Sequence, residues 1–364
     1  MSRLPFIALM LALGLLASCK PQKAPVLVAT ETKEPAIEWR LVTSWPKNLP
    51  GLGMAAENFA TLVNQMSNGR LNIQVYGAGE VMPALKVFDG VSNGEVQMGH
   101  SAAYYWKDKV PAAQFFSSIP FGMNADQMNT WLFYGGGMEL WRETYEPYGV
   151  IPFAGGFTGM QMGGWFNKEI NSIEDLQGLK MRLPGLGGEV LRAVGGIPYD
   201  NLAGRELFSA LQTGVIDAAE WVGPYNDKRL GLYKVAKYYY YPGWHEPSGA
   251  MEFLVNEQAF SELPEDLQVI VTIATRAINQ DMLNDYTYGH VQSMPELINR
   301  YNVIVKPFPV EVIRELKQAR SGVLDKVGRG DEQFAKVRES YLHHEKLFKQ
   351  FYDYTHGAMV ELDE

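Results

Sequence analysis

Residues 38–43, Glu-Trp-Arg-Leu-Val-Thr, alternate polar and apolar side chains with a period of two, and residues 71–76, Leu-Asn-Ile-Gln-Val-Tyr, repeat the pattern. Both predict half-buried strands. Between them Met54, Phe59, Leu62, Val63 and Met66 recur at helical spacing and Asn68-Gly69 stops the run, which completes a βαβ unit. Residues 83–91 predict a second helix and 96–100 a short strand, an alternation that suggests a mostly parallel sheet with helices on both faces. A second α/β series follows, with strands over 149–153, 163–167 and 179–183, helices over 187–194 and 206–213, and a strand over 215–221. The apolar run 250–255 is a strand placed to return the chain to the first sheet. Residues 264–299 read as helical, broken near Gly289 and Pro295, and 303–305 as one more strand. From 309 to 362 apolar residues including Val312, Leu316, Val323, Phe334, Val337, Tyr341, Leu347 and Phe351 keep helical spacing, with one break at 328–330. Such a helix either packs on its own domain or carries surplus apolar surface for a dimer contact.

The N-terminus belongs to another class. Arg3 precedes an apolar run over 4–16, followed by Leu16-Ala17-Ser18-Cys19. This is the layout of an export signal, and its core is too short for a bilayer-spanning helix. The tetrapeptide resembles the bacterial lipobox, in which the cysteine becomes a lipidated N-terminus. Residues 1–18 are therefore expected to be a lipoprotein signal peptide, Cys19 the lipidation site, and 19–36 a flexible tether. Cys19 is also the only cysteine, so no disulfide can form within the chain. At 364 residues, 46% hydrophobic and 20% charged, the remainder has room for two globular domains. A formal charge of −9 without a basic stripe argues against nucleic acid as a partner. Aromatic residues, 12% of the chain, suggest a concave site for a small ligand.

Enzyme signatures are absent: there is no Gly-x-Ser-x-Gly, no His-Glu-x-x-His, no cysteine pair and no P-loop. The run Pro184-Gly185-Leu186-Gly187-Gly188 lacks dinucleotide-binding spacing and reads as a loop opening a helix. His343-His344 lies on a solvated helix face, and His100 and His245, each a lone imidazole, read as structural groups. Reversible binding is the better expectation.

Three segments invite joint reading: residues 157–161, 179–184 and 215–224. Strand alternation places Lys180 and Arg182 on the face opposite Met181 and Leu183. A guanidinium near the carboxyl end of a strand in an open α/β sheet is suited to a carboxylate, either that of a ligand or that of a neighbouring Glu or Asp. Glu220 and Trp221 arrive at the end of the 215–221 strand, just before Gly223-Pro224. A carboxylate there needs Arg182, a cation, or both.

Residues 178–185 (Gly-Leu-Lys-Met-Arg-Leu-Pro-Gly), 210–224 (Ala-Leu-Gln-Thr-Gly-Val-Ile-Asp-Ala-Ala-Glu-Trp-Val-Gly-Pro) and 239–247 (Tyr-Tyr-Tyr-Pro-Gly-Trp-His-Glu-Pro) carry a family resemblance. From about Trp39 to Asn256, and more loosely to the C-terminus, the chain resembles the solute-binding proteins of TRAP transporters, the DctP-like family. It is most similar to the branch that binds 2-oxo and 2-hydroxy monocarboxylates such as pyruvate and lactate. The resemblance implies a two-lobed α/β periplasmic-binding-protein fold, each lobe a mixed sheet flanked by helices, with long C-terminal helices. Residues 37–158 with 248–290 would form the first lobe, 159–247 with 291–325 the second, and 326–364 a C-terminal helix available for a homodimer contact. The same resemblance implies that Arg182 clamps the carboxylate. A sodium or calcium ion would be held by the side chains of Gln161 and Glu220, the main-chain carbonyl of Trp221 and, less firmly, Glu246. Gln161 would touch substrate as well as metal, and Tyr104, Phe157 and Trp221 would wall the ligand's short alkyl part. Read from the residues alone, Gln161 is equally an ordinary polar residue and Glu246 a rim carboxylate. Amide, carboxylate and carbonyl oxygens suit hard cations. Two glutamates, one arginine and an anionic ligand sum to about −2, which calcium balances and sodium half balances. The implied partners are a small carboxylate and integral membrane permease subunits. A ligand sensor coupled to a kinase would share this soluble domain, and an enzyme on the same fold is a third reading.

Overall fold

A computed structural model describes residues 35–358. The expected signal peptide, most of the tether, Cys19 and residues 359–364 lie outside the described residues. The described residues from 36 onward form one compact unit.

The chain begins β1 (Ile37–Thr43), α1 (Leu52–Met66), β2 (Leu71–Tyr76), α2 (Val87–Ser92) and β3 (Met98–Ser101). Two helices, α3 (Ala125–Tyr134) and α4 (Gly137–Tyr145), lead to β4 (Val150–Phe157). Then come β5 (Gly164–Phe166), β6 (Lys180–Arg182), α5 (Gly185–Ala193), β7 (Ile197–Tyr199), α6 (Gly204–Gln212), β8 (Ala218–Ala219), α7 (Pro224–Leu230) and β9 (Tyr238–Tyr241). The last third holds β10 (Ala250–Asn256), α8 (Glu257–Ser261), α9 (Glu265–Asn299), β11 (Ile304–Pro307), α10 (Val310–Val327) and α11 (Glu332–Tyr352).

Two mixed sheets organise two lobes. The first has the order β2-β1-β3-β10-β4, and the second β11-β9-β5-β8-β6-β7. Alternation in β1 and β2 puts Trp39, Leu41, Leu71, Ile73 and Val75 into the core, paired in parallel register from Ile37 opposite Leu71. The expectation of a mostly parallel sheet holds only for β1, β2 and β3. β10 enters antiparallel between β3 and β4, because the chain has already visited the second lobe and returns from the opposite direction.

Three further expectations change. The 264–299 run is one unbroken helix, α9, through Gly289 and Pro295. Gly289 is present for contact: a Cβ there would lie 2.4 Å from the Tyr225 ring. Pro295 removes a single backbone donor near the helix end, a loss that packing of α9 on β4, α1 and α7 offsets. The 215–221 strand shrinks to Ala218–Ala219, because Gly214 turns with φ 73° and regular pairing ends at Glu220, whose N still donates to Arg182 O at 3.1 Å. The helix over 83–91 splits into a 3₁₀ turn, Ala84–Lys86, and α2.

The C-terminal helices pack on their own chain. α10 lies against α5, and α11 against α3, α4 and the 3₁₀ segment Pro111–Phe116. Tyr341 Oη accepts from Met123 N at 2.9 Å, and Phe334 meets Phe115 edge-on at 4.9 Å. Past Tyr341, however, Leu347, Phe351 and Tyr354 are exposed. Among the described residues no helix is long and apolar enough to cross a membrane.

Two crossovers, β4 to β5 and β9 to β10, run side by side between the lobes, and α9 leads the chain across again to β11. Thr158 N donates to Gly249 O at 3.0 Å, and Gly249 N to Thr158 Oγ1 at 3.0 Å. Lys107 of the first lobe pairs with Asp200 of the second at 3.1 Å, and Asn226 Nδ2 donates to Pro50 O at 2.8 Å.

Glu252, on β10 at a register shift between Met251 and Glu252, is wholly buried beside Tyr145, with neither carboxyl oxygen in a well-formed hydrogen bond. Burial pushes its carboxyl well above 4.5, eased only by the Tyr145 hydroxyl. Folding therefore holds a proton that the unfolded chain releases near 4.5, so stability is greatest below that pH and falls as pH rises above it. Glu252→Gln removes the cost. Its stability relative to the parent is expected to climb as pH rises above about 4.5, by up to about 1.4 kcal/mol per pH unit while the parent's carboxyl stays protonated, read as a widening gap in melting temperature. A difference that stays constant over this range in thermal melts would contradict the reading.

Candidate functional site

Strand β6 ends at Arg182 and the loop after β8 begins at Glu220; β6 and β8 are parallel neighbours. Parallel pairing thus brings together two groups 38 positions apart. Arg182 Nη1 donates to Glu220 Oε2 at 2.8 Å and to Glu220 O at 3.0 Å, and its Nε reaches Leu202 O at 3.4 Å. Both side chains are out of solvent, at 1% and 0% exposure. The guanidinium lies 5.0 Å from the Trp221 ring centroid, a cation–π contact. Lys180, on the same strand face, is exposed and does not join the site.

The other contributors come from the crossovers and the first lobe. Gln161, just after the β4 crossover, donates from Nε2 to Thr158 Oγ1 and to Glu246 Oε2, each at 2.9 Å. Glu246 lies on the return crossover between β9 and β10 and also meets the Tyr104 hydroxyl. Tyr105 contacts Arg182 through its hydroxyl. Tyr104 and Tyr105 belong to the 3₁₀ turn Ala103–Trp106 after β3, so the site spans both lobes and the crossovers between them.

Of the residues expected from the sequence, Arg182, Gln161, Glu220, Trp221, Glu246 and Tyr104 converge here. Phe157 is fully buried at the end of β4, opposite Ala250 and one residue before Thr158. Tyr105 and Thr158 are additions that carried no separate signal in the sequence. His245, set aside as structural, lies with Nε2 3.8 Å from Glu220 Oε1, beyond hydrogen-bonding distance.

The electrostatics are lopsided. Burial first, and then the Glu220 charge, push the Glu246 carboxyl up to about 8 against the opposing pull of Arg182, Gln161 and Tyr104. Burial opposes the charge on Arg182, but Glu220 and its other neighbours more than offset this and hold the guanidinium protonated. Gln161 Oε1 and Glu220 Oε1 are both buried without a hydrogen-bond partner. Unmet buried acceptors cost about 1–3 kcal/mol each. A hard cation satisfies such oxygens directly, so the donor set fits sodium or calcium. No cluster of three His, Cys, Asp or Glu side chains with metal-binding geometry occurs among the described residues. A cation here would therefore also draw on amide or main-chain oxygen.

A surface cavity of about 860 Å³ lies outside this cluster. It is lined by Met160, Pro247, Leu283, Tyr288 and Val291 among others, with Asp126 its one charged group. It lacks the cation and the convergent carboxylates that an anion bound with a metal ion would need.

Residues 41–331 match the family model for DctP, bacterial extracellular solute-binding protein family 7. The chain is 43% identical over 307 residues, 84% of each chain, to a monocarboxylate 2-oxoacid-binding periplasmic protein of Nostoc sp.. It superposes with TM-score 0.86 on a TRAP periplasmic solute-binding protein from Pseudoalteromonas atlantica with bound sodium and pyruvate, at 43% identity over 90% of this chain and 99% of that one. A second such protein, from Colwellia psychrerythraea with bound calcium and pyruvate, gives TM-score 0.86 at 42% identity over the same shares. A two-lobed fold whose buried Arg–Glu pair and unsatisfied oxygens lie where the lobes meet is thus joined by sequence and shape to these receptors, and the chain belongs to the DctP family of extracellular solute-binding proteins.

Proposed function

We propose that this chain is the extracytoplasmic receptor of a TRAP-type secondary transporter. It binds a 2-oxo or 2-hydroxy monocarboxylate such as pyruvate or lactate together with a sodium or calcium ion and delivers it to integral membrane permease subunits. The observation that carries this reading is the buried Arg182 beside unsatisfied oxygens of Gln161 and Glu220, between two lobes. The relatives that hold pyruvate with sodium or calcium support the ligand class.

In this reading Arg182 orients the carboxylate, Gln161, Glu220, the Trp221 carbonyl and Glu246 hold the ion, and Tyr104, Phe157 and Trp221 limit chain length. The ion supplies positive charge to balance the guest and the glutamates. Residues 37–158 with 248–290 and 159–247 with 291–325 move as the two lobes about the Thr158–Gly249 crossovers. A ligand touching both lobes favours the closed arrangement, because only differential affinity shifts such an equilibrium. The exposed Leu347, Phe351 and Tyr354 support a homodimer contact by the C-terminal helix.

Arg182→Ala would leave Glu220 charged and unpaired in the interior, so Arg182→Lys is the better test. It keeps the charge and loses the planar fork, and pyruvate affinity in calorimetry is expected to fall by roughly 30- to 100-fold. A loss below threefold in a folded variant would reject the clamp. Chelation of divalent metal, and replacement of sodium by choline, are to be compared on the parent protein. One of the two treatments is expected to weaken pyruvate binding, and indifference to both would reject the bound cation.

The Lys107–Asp200 pair spans the lobes and is partly exposed, so its contribution is small. Asp200→Asn is expected to weaken affinity about two- to fivefold through faster dissociation in stopped-flow. An unchanged dissociation rate would remove this pair from the closure step.

Cys19 is proposed to carry the lipid anchor. Cys19→Ser is expected to move the protein from the membrane fraction to the soluble extracytoplasmic fraction, and an unchanged distribution would exclude lipidation as the tether.

A further inference from the structure

Among the described residues, the buried and half-buried imidazoles off the C-terminal helix are of two kinds. His100 is satisfied on both sides: Trp45 Nε1 donates to its Nδ1 at 3.1 Å, and its Nε2 meets Gly155 O at 2.9 Å. His290 is likewise engaged, by Tyr225 N at 3.3 Å and Thr158 O at 3.1 Å. His245 is 1% exposed, and neither ring nitrogen has a partner. Packing alone fixes it. Its ring meets Trp244 edge-on at 5.6 Å, and its Cβ sits so close to the first turn of α5 that a Cβ on Gly187 would lie 2.9 Å away.

A neutral imidazole carries one N–H donor and one acceptor. Leaving both dry costs about 1–3 kcal/mol apiece, and a fold that has satisfied two other histidines has no packing reason to accept that at a third. Two unmet groups face each other. Nε2 of His245 faces Glu220 Oε1 at 3.8 Å, and that oxygen is itself without a partner. Ser248 Oγ on the same crossover and Gln114 Oε1 are also unpaired.

The division of labour follows from chemistry. Gln161 Oε1, Glu220 Oε1 and the Trp221 carbonyl are acceptors and suit a cation. Arg182 suits a carboxylate. A 2-oxo acid would offer a cation held by Gln161 and Glu220 both a carboxylate oxygen and the oxygen on carbon 2, which would bring the latter toward Glu220 Oε1. The imidazole beside that position has an unused N–H. Resting on the proposed function above, we infer that His245 is a ligand contact. Its N–H donates to the oxygen on carbon 2 of the guest and discriminates acids that carry this oxygen from those that lack it.

The test is calorimetry on the mature protein with saturating sodium or calcium, using pyruvate, lactate and propionate. Propionate has the same carbon count and no oxygen on carbon 2. A site built around a donor rejects a guest lacking the matching acceptor, so the parent is expected to prefer pyruvate over propionate by at least about a hundredfold. In His245→Phe, pyruvate affinity is expected to fall about thirtyfold or more while propionate changes less than threefold. His245→Gln restores a donor and is expected to recover part of the preference. A folded His245→Phe that keeps the parent's pyruvate-to-propionate ratio, whether both guests weaken together or neither does, would overturn the assignment. So would a His245→Gln with no more preference than the Phe variant. If the parent itself binds none of the three acids with either ion, the receptor reading fails first, and this inference with it.

Discussion

A guanidinium and a carboxylate removed from water together set the terms for the rest of this molecule. Arg182 and Glu220 are nearly solvent-free, and such a pair is tolerated only when its geometry is good and the leftover lone pairs are met. The geometry is supplied by parallel pairing of β6 with β8 and by a second bond from Arg182 to the Glu220 carbonyl. The leftover lone pairs are not all met within the protein. With Glu246 pushed up to about 8 by burial and by Glu220, the site leaves acceptors on Gln161 and Glu220 and donors on Trp221 and His245 unmet. A cation and an anionic guest together answer both kinds.

The crossovers place this chemistry where motion can use it. Thr158 Oγ1 accepts from both Gln161 Nε2 and Gly249 N, so one hydroxyl ties a proposed ion ligand to both crossovers. Its carbonyl meets His290 on α9, a helix that packs on elements of both lobes. Contacts across the cleft, such as Lys107–Asp200 and Asn226–Pro50, are single and polar. Contacts of that kind stabilise a closed form without locking it.

Buried titratable groups in this fold therefore fall into different roles by environment alone. Glu252 is solitary beside Tyr145, far in character from the paired Glu220, and its burial raises its affinity for a proton. Asp227 is also pushed up, to about 7, by burial, although Tyr239, Trp165 and the Val222 backbone all donate to it. It anchors the turn that follows Trp221. The same contrast separates His100, with both nitrogens bonded, from His245, with neither.

The sequence by itself determined the alternation of β1 and β2, the existence of α1, the return of β10 to the first sheet and the amphipathic C-terminal helices, because these depend on local periodicity; the face of α1 it read only in part, since Phe59 and Val63 are buried while Met54 and Met66 are exposed. It also pointed to Arg182 and Glu220 through their places at strand ends, and to Gln161, the Trp221 carbonyl and Glu246 only through the resemblance to a known family. Only the tertiary structure decided that β10 runs antiparallel between β3 and β4, that α9 continues through Gly289 and Pro295, and that the 215–221 strand keeps just two residues. Each of those depends on a neighbour distant in sequence: a returning chain, the Tyr225 ring, the ladder beside β6. The same holds at the site. Tyr105 and Thr158 look ordinary along the chain and join the cluster through crossover geometry. His245 looks structural until its two nitrogens are seen to lack partners, since hydrogen-bond satisfaction is a property of the space around a side chain and leaves no mark in the order of residues.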